Sequence, residues 1–216
     1  MSIHKTYAVF GLGRYGLAVA KELVANGAEV LAVDTNADVV AMAAEELPIC
    51  KCADITDAEV IRQLGISNID VVIIAMAGNL EASVMAITLC KEAGVPAVIA
   101  KCGAEMHRKI MSRIGADKVV FPEMESGTRL AKNLVSAGFI DMVEISKDVS
   151  MVELAVKSEW VGKTLLELKL RNKYSLNVVA IRKGEEVSMD VDPTLPLEAD
   201  MKLIVVINSA SLEKLI

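Results

Sequence analysis

The chain has 216 residues, 53% of them hydrophobic, which supports a sizeable packed core and excludes a disordered chain. Only 3% are aromatic, so the core must be built from Val, Ile, Leu, Ala and Met, a composition suited to buried parallel strands. The formal net charge of −6 leaves no electrostatic footprint for nucleic acid, and the longest apolar runs, such as VVIIAMAG, fall far short of the roughly 20 residues of a membrane helix.

The opening MSIHKTY is too short and polar for a signal peptide. The expectation is a soluble, cytoplasmic chain whose contact with a membrane comes through a partner. TYAVFG then reads as a strand and RYGLAVAKELVANG as its helix. AEVLAVD and ADVVAMAAEEL repeat the unit, followed by PICKCAD and DAEVIRQLG. DVVIIAMA is a fourth strand, wholly apolar at its centre, with LEASVMAITLCKEAG as a long helix after it. PAVIAKC and AEMHRKIMSRIG form a fifth unit, DKVVFPE and MESGTRLAKNLVSAG a sixth.

Five of these helices run into glycine, at Gly27, Gly65, Gly94, Gly115 and Gly138. Glycine enters the left-handed conformation that ends a helix without a Cβ penalty. Repeated βα units with apolar strands predict an α/β fold, a doubly wound parallel sheet in the order 3-2-1-4-5-6. After Gly138 the pattern changes. DMVEIS and MVELAV alternate as strands, TLLELKLRNKY reads as one helix, NVVAIRK and EEVSM as a hairpin around Gly184, and KLIVVIN as a closing strand. SLEKLI reads as a last helical turn. The expected organisation is a nucleotide-binding domain over residues 1–138, with a helix at about 124–138, and a small α+β domain over residues 139–216.

Gly11, Gly13 and Gly16 form G-x-G-x-x-G between the first strand and its helix. The first glycine permits the tight turn, the second lets backbone approach a phosphate, and the third allows close helix–strand packing. Asp34 ends the second strand at the spacing where a carboxylate accepts from both ribose hydroxyls and repels a 2′-phosphate. An adenosine phosphate or a dinucleotide other than NADP is therefore expected. The other strand ends complete the ring. Asp54 lies where an adenine edge would sit, Ala75, Met76 and Asn79 follow strand four, Lys101 ends strand five and Glu123 follows strand six. Tyr15, Thr35, Asn36 and Ile55 are chain neighbours included in the candidate set. Arg14 and Lys101 can hold extra negative charge such as a triphosphate end, and Glu123 can pair with Arg14 or bind a cation between phosphates.

No constellation for hydride transfer accompanies this loop. His107 lies amid Arg108 and Lys109 and reads as a surface residue, and Tyr174 has Lys173 beside it rather than at catalytic spacing. The cysteines Cys50, Cys52, Cys90 and Cys102 read as reduced, buried thiols, with Cys50 and Cys52 on one face of a strand. Three classes stay open on residues alone: a ligand-gated regulator, an NAD-dependent oxidoreductase and an NAD(H)-sensing module.

The stretches YAVFGLGRYGLAVAKEL, EVLAVDTN, CADITDAEVIRQLGI, VVIIAMAGNLEASVMAITLCKEAGVPAVIAK and IGADKVVFPEMESGTRLAKNL resemble the regulatory RCK (KTN) subunits of bacterial Ktr/Trk potassium transporters. GKTLLELKLRNKYSLNVVAIRKGEEVSMDVDPTLPLEADMKLIVVI resembles their RCK-C (TrkA-C) domain, and the single-copy layout looks like the KtrA/KtrC type. The resemblance implies a Rossmann-like RCK-N domain, dimers assembled into an octameric ring, and a membrane-embedded potassium transporter as partner. It implies ATP and ADP as ligands that hold different ring shapes, with Mg or another cation at the phosphates. Carried over, Gly11, Gly13 and Gly16 cradle phosphates, Asp34 holds the ribose, Arg14 reaches the γ-phosphate across the dimer, and Glu123 stands beside it as a cation ligand. The resemblance further implies exchange of the helix after Glu123 between protomers, with Leu130, Leu134 and Val135 as its packed stripe. An ordinary sheet helix fits the same residues. In some relatives the C-terminal domain binds cyclic di-AMP, which here would fall to Arg171, Asn177 and Val178, although Arg171 also reads as a solvated helix charge.

Overall fold

The structure, a computed structural model, describes residues 5–135, 139–146, 148–208 and 211. Gly138 and SLEKLI after Ser211 lie outside the described residues. The chain divides into two compact units, Met1–Glu123 and Met124–Ile216.

The first unit alternates strand and helix: β1 (Thr6–Phe10), α1 (Arg14–Ala25), β2 (Glu29–Asp34), α2 (Ala37–Ala43), β3 (Cys50–Cys52), α3 (Ala58–Gln63), β4 (Val71–Ile74), α4 (Leu80–Glu92), β5 (Ala97–Lys101), α5 (Glu105–Arg113) and β6 (Lys118–Val120). α6 (Pro122–Val135) follows. The six strands form one sheet in the order β3-β2-β1-β4-β5-β6, parallel at every pair. Apolar side chains on both faces of a central strand require cover on both sides, and β4 is buried at all four positions. Two clusters supply the cover. Phe10, Val72, Ile74, Ile87 and Met111 belong to one, and Val9, Val30, Ile73 and Leu47 to the other. Gly27, Gly65, Gly94 and Gly115 all take positive φ after a helix, as the breaks in periodicity require.

The second unit holds β7 (Phe139–Ser146), β8 (Val149–Ala155), α7 (Leu165–Leu168), α8 (Leu170–Tyr174), β9 (Leu176–Lys183), β10 (Glu186–Ser188) and β11 (Met201–Asn208). Its sheet runs β10-β9-β11-β8-β7, antiparallel throughout. Leu203, Val205 and Ile207 alternate inward along β11 opposite Val152 and Leu154 of β8, and Trp160, Leu168, Leu170 and Leu197 close that face. The hairpin turns at Gly184, with φ of 60°, between the paired residues Lys183 and Glu186. TLLELKLRNKY departs from the single helix expected of it. Lys169 adopts φ 47°, ψ 43° and divides α7 from α8.

Two sequence expectations outside the ligand ring also change. His107 is half-buried rather than a surface residue, because it lies four residues before the buried Met111 and shares its helix face. Its Nδ1 is buried without a hydrogen-bond partner. Cys90 and Cys102 are buried, and burial pushes the Cys90 thiol up to about 12, but Cys52 is exposed because β3 is the edge strand. All four cysteines are free. Among the described residues no helix is long and apolar enough to cross a membrane.

Candidate functional site

The carboxyl ends of β1, β2, β4 and β5 converge at a cleft of about 760 Å³. β1 delivers the glycine loop. Gly11 N–H donates to the Val33 carbonyl at 2.8 Å, and Ala75 N–H donates to the Phe10 carbonyl at 2.7 Å, so the loop is anchored to both neighbouring strands. Gly11 takes φ 90°, and a Cβ there would stand 2.7 Å from Met76 Cγ. A Cβ on Gly16 would run into the Gly11 carbonyl oxygen, which is why helix and loop can touch there. Gly13 differs from both, because the place where its Cβ would stand has nothing within 4 Å. That open face lies on the cleft wall and leaves backbone accessible to a ligand.

Gly13 is also the N-cap of α1, without a side-chain capping bond and with no acidic residue in the first turn. The side chains of Asn36, Asp57 and Asn79 cap α2, α3 and α4 instead. The first N–H groups of α1 therefore face the cleft mouth with the positive end of the helix dipole behind them. Anions bind such ends readily.

Asp34 lines the cleft, half-buried, as the spacing predicts. It has a second task the sequence did not reveal. Its Oδ2 accepts from Leu12 N–H at 2.7 Å and its Oδ1 from Asn36 N–H at 2.9 Å, so the carboxylate ties the glycine loop to the end of β2. Each oxygen keeps a lone pair for a further donor.

Lys101 and Glu123 are joined, Nζ to Oε1 at 2.5 Å, and the Lys101 ammonium stands 5.4 Å from the centroid of the Tyr15 ring. The hydrogen bond from Lys101 holds the Glu123 carboxyl below the usual carboxylate range, helped by its own backbone N–H and more weakly by the charges of Lys101 and Arg14. Glu123 thus takes Lys101 as its ion-pair partner. Arg14, exposed on the cleft wall, forms no ion pair among the described residues.

Gly11, Gly13, Arg14, Tyr15, Asp34, Ala75, Met76, Lys101 and Glu123 are brought to one cleft. Gly16 packs beneath it. Thr35, Asn36, Asp54, Ile55 and Asn79 stand outside its walls. Asn36 and Asn79 are occupied in capping, Asp54 accepts from the backbone and hydroxyl of Thr56, and Ile55 is buried in the core. Ala18, Ala77 and Gly78 line the cleft but were missing from the sequence reading, since small side chains carry no chemical signal. Arg171 and Asn177 are exposed and Val178 half-buried, all in the second unit. Among the described residues no group of three or more His, Cys, Asp or Glu side chains gathers as a metal site. An open glycine backbone, an uncapped helix start, two cations and a carboxylate with free lone pairs meet in one cleft, a lining chemically suited to phosphate and hydroxyl groups.

The TrkA-N domain model matches residues 7–122, and the TrkA-C domain model matches residues 149–216. The chain belongs to the Ktr/Trk family of RCK subunits of potassium uptake systems. It is 39% identical over 202 residues to Ktr system potassium uptake protein C of Bacillus subtilis (strain 168), covering 94% of this chain and 91% of that protein. It is 35% identical to Ktr system potassium uptake protein A of Vibrio alginolyticus, over 94% of this chain and 92% of that one. Among solved structures, the GsuK RCK domain superposes with a TM-score of 0.66 at 16% identity, covering 99% of this chain and 47% of that one. A GsuK channel bound to NAD gives 0.65 at 16%, with 98% of this chain and 38% of that one covered. The chain thus spans less than half the length of these solved structures, and the likeness bears on the fold.

Proposed function

We propose that this chain is a nucleotide-sensing regulatory subunit that gates a membrane-embedded potassium uptake transporter from its cytoplasmic side. The observation that carries the proposal is the open backbone at Gly13, set in a cleft with Arg14 and Lys101 and flanked by Asp34. In a family of potassium uptake proteins, such a receptor is best used to report on a ligand. The bound ligand is ATP or ADP. Asp34 holds the ribose, the glycine loop and the start of α1 hold the phosphates, and Arg14 answers to the terminal phosphate. Glu123 stands where a cation could sit against the phosphates, and Mg is the natural candidate. A ligand gates by binding two conformations unequally, so discrimination between ATP and ADP at Arg14 becomes a difference between two ring shapes.

The ring is an assembly of dimers, up to an octamer. Leu130 and Leu134 of α6 are 60% and 76% exposed in a single chain, which supports cover by a second copy through an exchanged helix. Cyclic di-AMP is a second proposed ligand, held at the second unit by the exposed Arg171 and Asn177 with Val178. The proposed role is regulatory and not enzymatic. One specific observation favours a second reading as an NAD(H)-responsive module: a GsuK channel of the same fold is bound to NAD, whereas another GsuK structure is bound to ADP, in keeping with the first reading.

Calorimetric titration of the full chain with ATP, ADP and NADH in one magnesium buffer separates the readings. Tight binding of ATP and ADP with weak NADH is expected. NADH as the tightest ligand would replace nucleotide-phosphate sensing with redox sensing.

A further inference from the structure

The ammonium of Lys101 is claimed twice. It lines the cleft that receives the phosphates, and it is bonded to Glu123. The two partners are unequal in their access to water. The Lys101 side chain is 12% exposed and its ammonium stands against the Tyr15 ring, whereas the Glu123 side chain is 63% exposed. Lys101 therefore cannot leave the cleft without losing its packing, but Glu123 can turn to water at little cost. A phosphate group carries more charge and more acceptor oxygens than a carboxylate and competes for the same donors.

We propose that Lys101 is a shared counter-ion, and that phosphate at the glycine loop takes it from Glu123. This rests on the nucleotide reading above and adds how the bound phosphate is reported. Glu123 is the last residue of the first unit and lies in the first turn of α6. Once released, its carboxylate still has its own backbone N–H, which already helps hold it in the ionised form. The exchange thus passes a phosphate-dependent change in pairing directly to the start of α6. It also makes the freed carboxylate available only when phosphate is present. Tyr15 holds the ammonium in place during the exchange, and Arg14 takes no part in it.

The test is calorimetry on the full chain with ADP and with adenosine, in buffer containing chelator so that no divalent cation takes part. Glu123→Gln removes the competitor and should tighten ADP by up to about 5-fold, the size of an exposed ion pair. Adenosine, which has no phosphate, should bind the variant and wild type alike. Lys101→Met should weaken ADP by about 10-fold or more, the loss of a hydrogen bond to a charged group, and Lys101→Arg should restore most of it. In the double variant the gain from Glu123→Gln should vanish, because there is no longer a cation to compete for. A Glu123→Gln variant that binds ADP no tighter than wild type, or keeps its gain beside Lys101→Met, overturns the exchange and leaves nucleotide binding standing. Wild-type chain that binds no nucleotide overturns both.

Discussion

The two units solve the same packing problem in opposite ways. In the first, a parallel sheet is covered on both faces by its own helices, so strands such as β4 are buried end to end. In the second, an antiparallel sheet has one face closed by α7, α8 and the Trp160 and Leu197 segments, and carries exposed apolar residues such as Val143 and Met151. The first unit also places left-handed backbone only at glycine among its described residues, whereas the second places it at Lys169 and Ser175 as well. One unit presents a finished cleft at its strand ends. The other leaves apolar surface and local strain in place. Self-sufficient burial in one half and incomplete burial in the other is what a subunit needs if it binds a small ligand with one part and other chains with the rest.

Substitutions can sharpen that contrast. Phe10→Ala, at a fully buried position of the first unit, should cost about 3–5 kcal/mol in denaturant unfolding. Gly16→Ala should cost about 1–3 kcal/mol by pushing α1 off the loop, and should abolish nucleotide binding with it. A Gly16→Ala variant that still binds would mean the loop is not the anchor. Lys169→Gly should stabilise the second unit by up to about 1 kcal/mol, since glycine adopts the left-handed conformation freely. Its melting temperature should rise, and a fall would show that the lysine side chain outweighs its backbone strain.

The smallest effect depends on pH. Asp117 accepts from Val98 N–H at 2.7 Å and from Lys91 Nζ at 3.0 Å, and the backbone bond first of all holds its carboxyl below the usual range. A native pKa below the unfolded one contributes stability that is complete above about pH 4 and is lost as the pH falls through the native value. Asp117→Asn should therefore lower stability modestly at neutral pH, and the difference from wild type should shrink as the pH falls below about 4, flattening the acid limb. An unchanged acid limb would remove Asp117 from the account.

The difference between the units also governed how far the sequence could be read. Gly27, Gly65, Gly94 and Gly115 announce helix ends because only glycine is comfortable there, and the run of apolar strands dictates a parallel sheet. The break between α7 and α8 has no such marker, because it falls at a lysine in a sequence with unbroken helical pattern. In the site, the meeting of Gly11, Gly13 and Asp34 at one cleft was legible, because a tight strand-to-helix turn and the end of the neighbouring strand demand particular residue types at particular spacing. The pairing of Glu123 with Lys101 in place of Arg14 was not, since three charges at neighbouring strand ends do not say which two meet. Ala77 and Gly78 escaped because they contribute only space.

In the proposed function the cleft counts phosphates through Arg14. The measurement that tests it most directly is calorimetric titration of wild type and Arg14→Ala with ATP and with ADP, under identical magnesium and salt. The variant should stay folded and lose ATP affinity by about 10-fold or more, the size of a charged hydrogen bond to phosphate, with a distinctly smaller loss for ADP. Equal losses for the two nucleotides would contradict it and reduce Arg14 to a general attraction for anions.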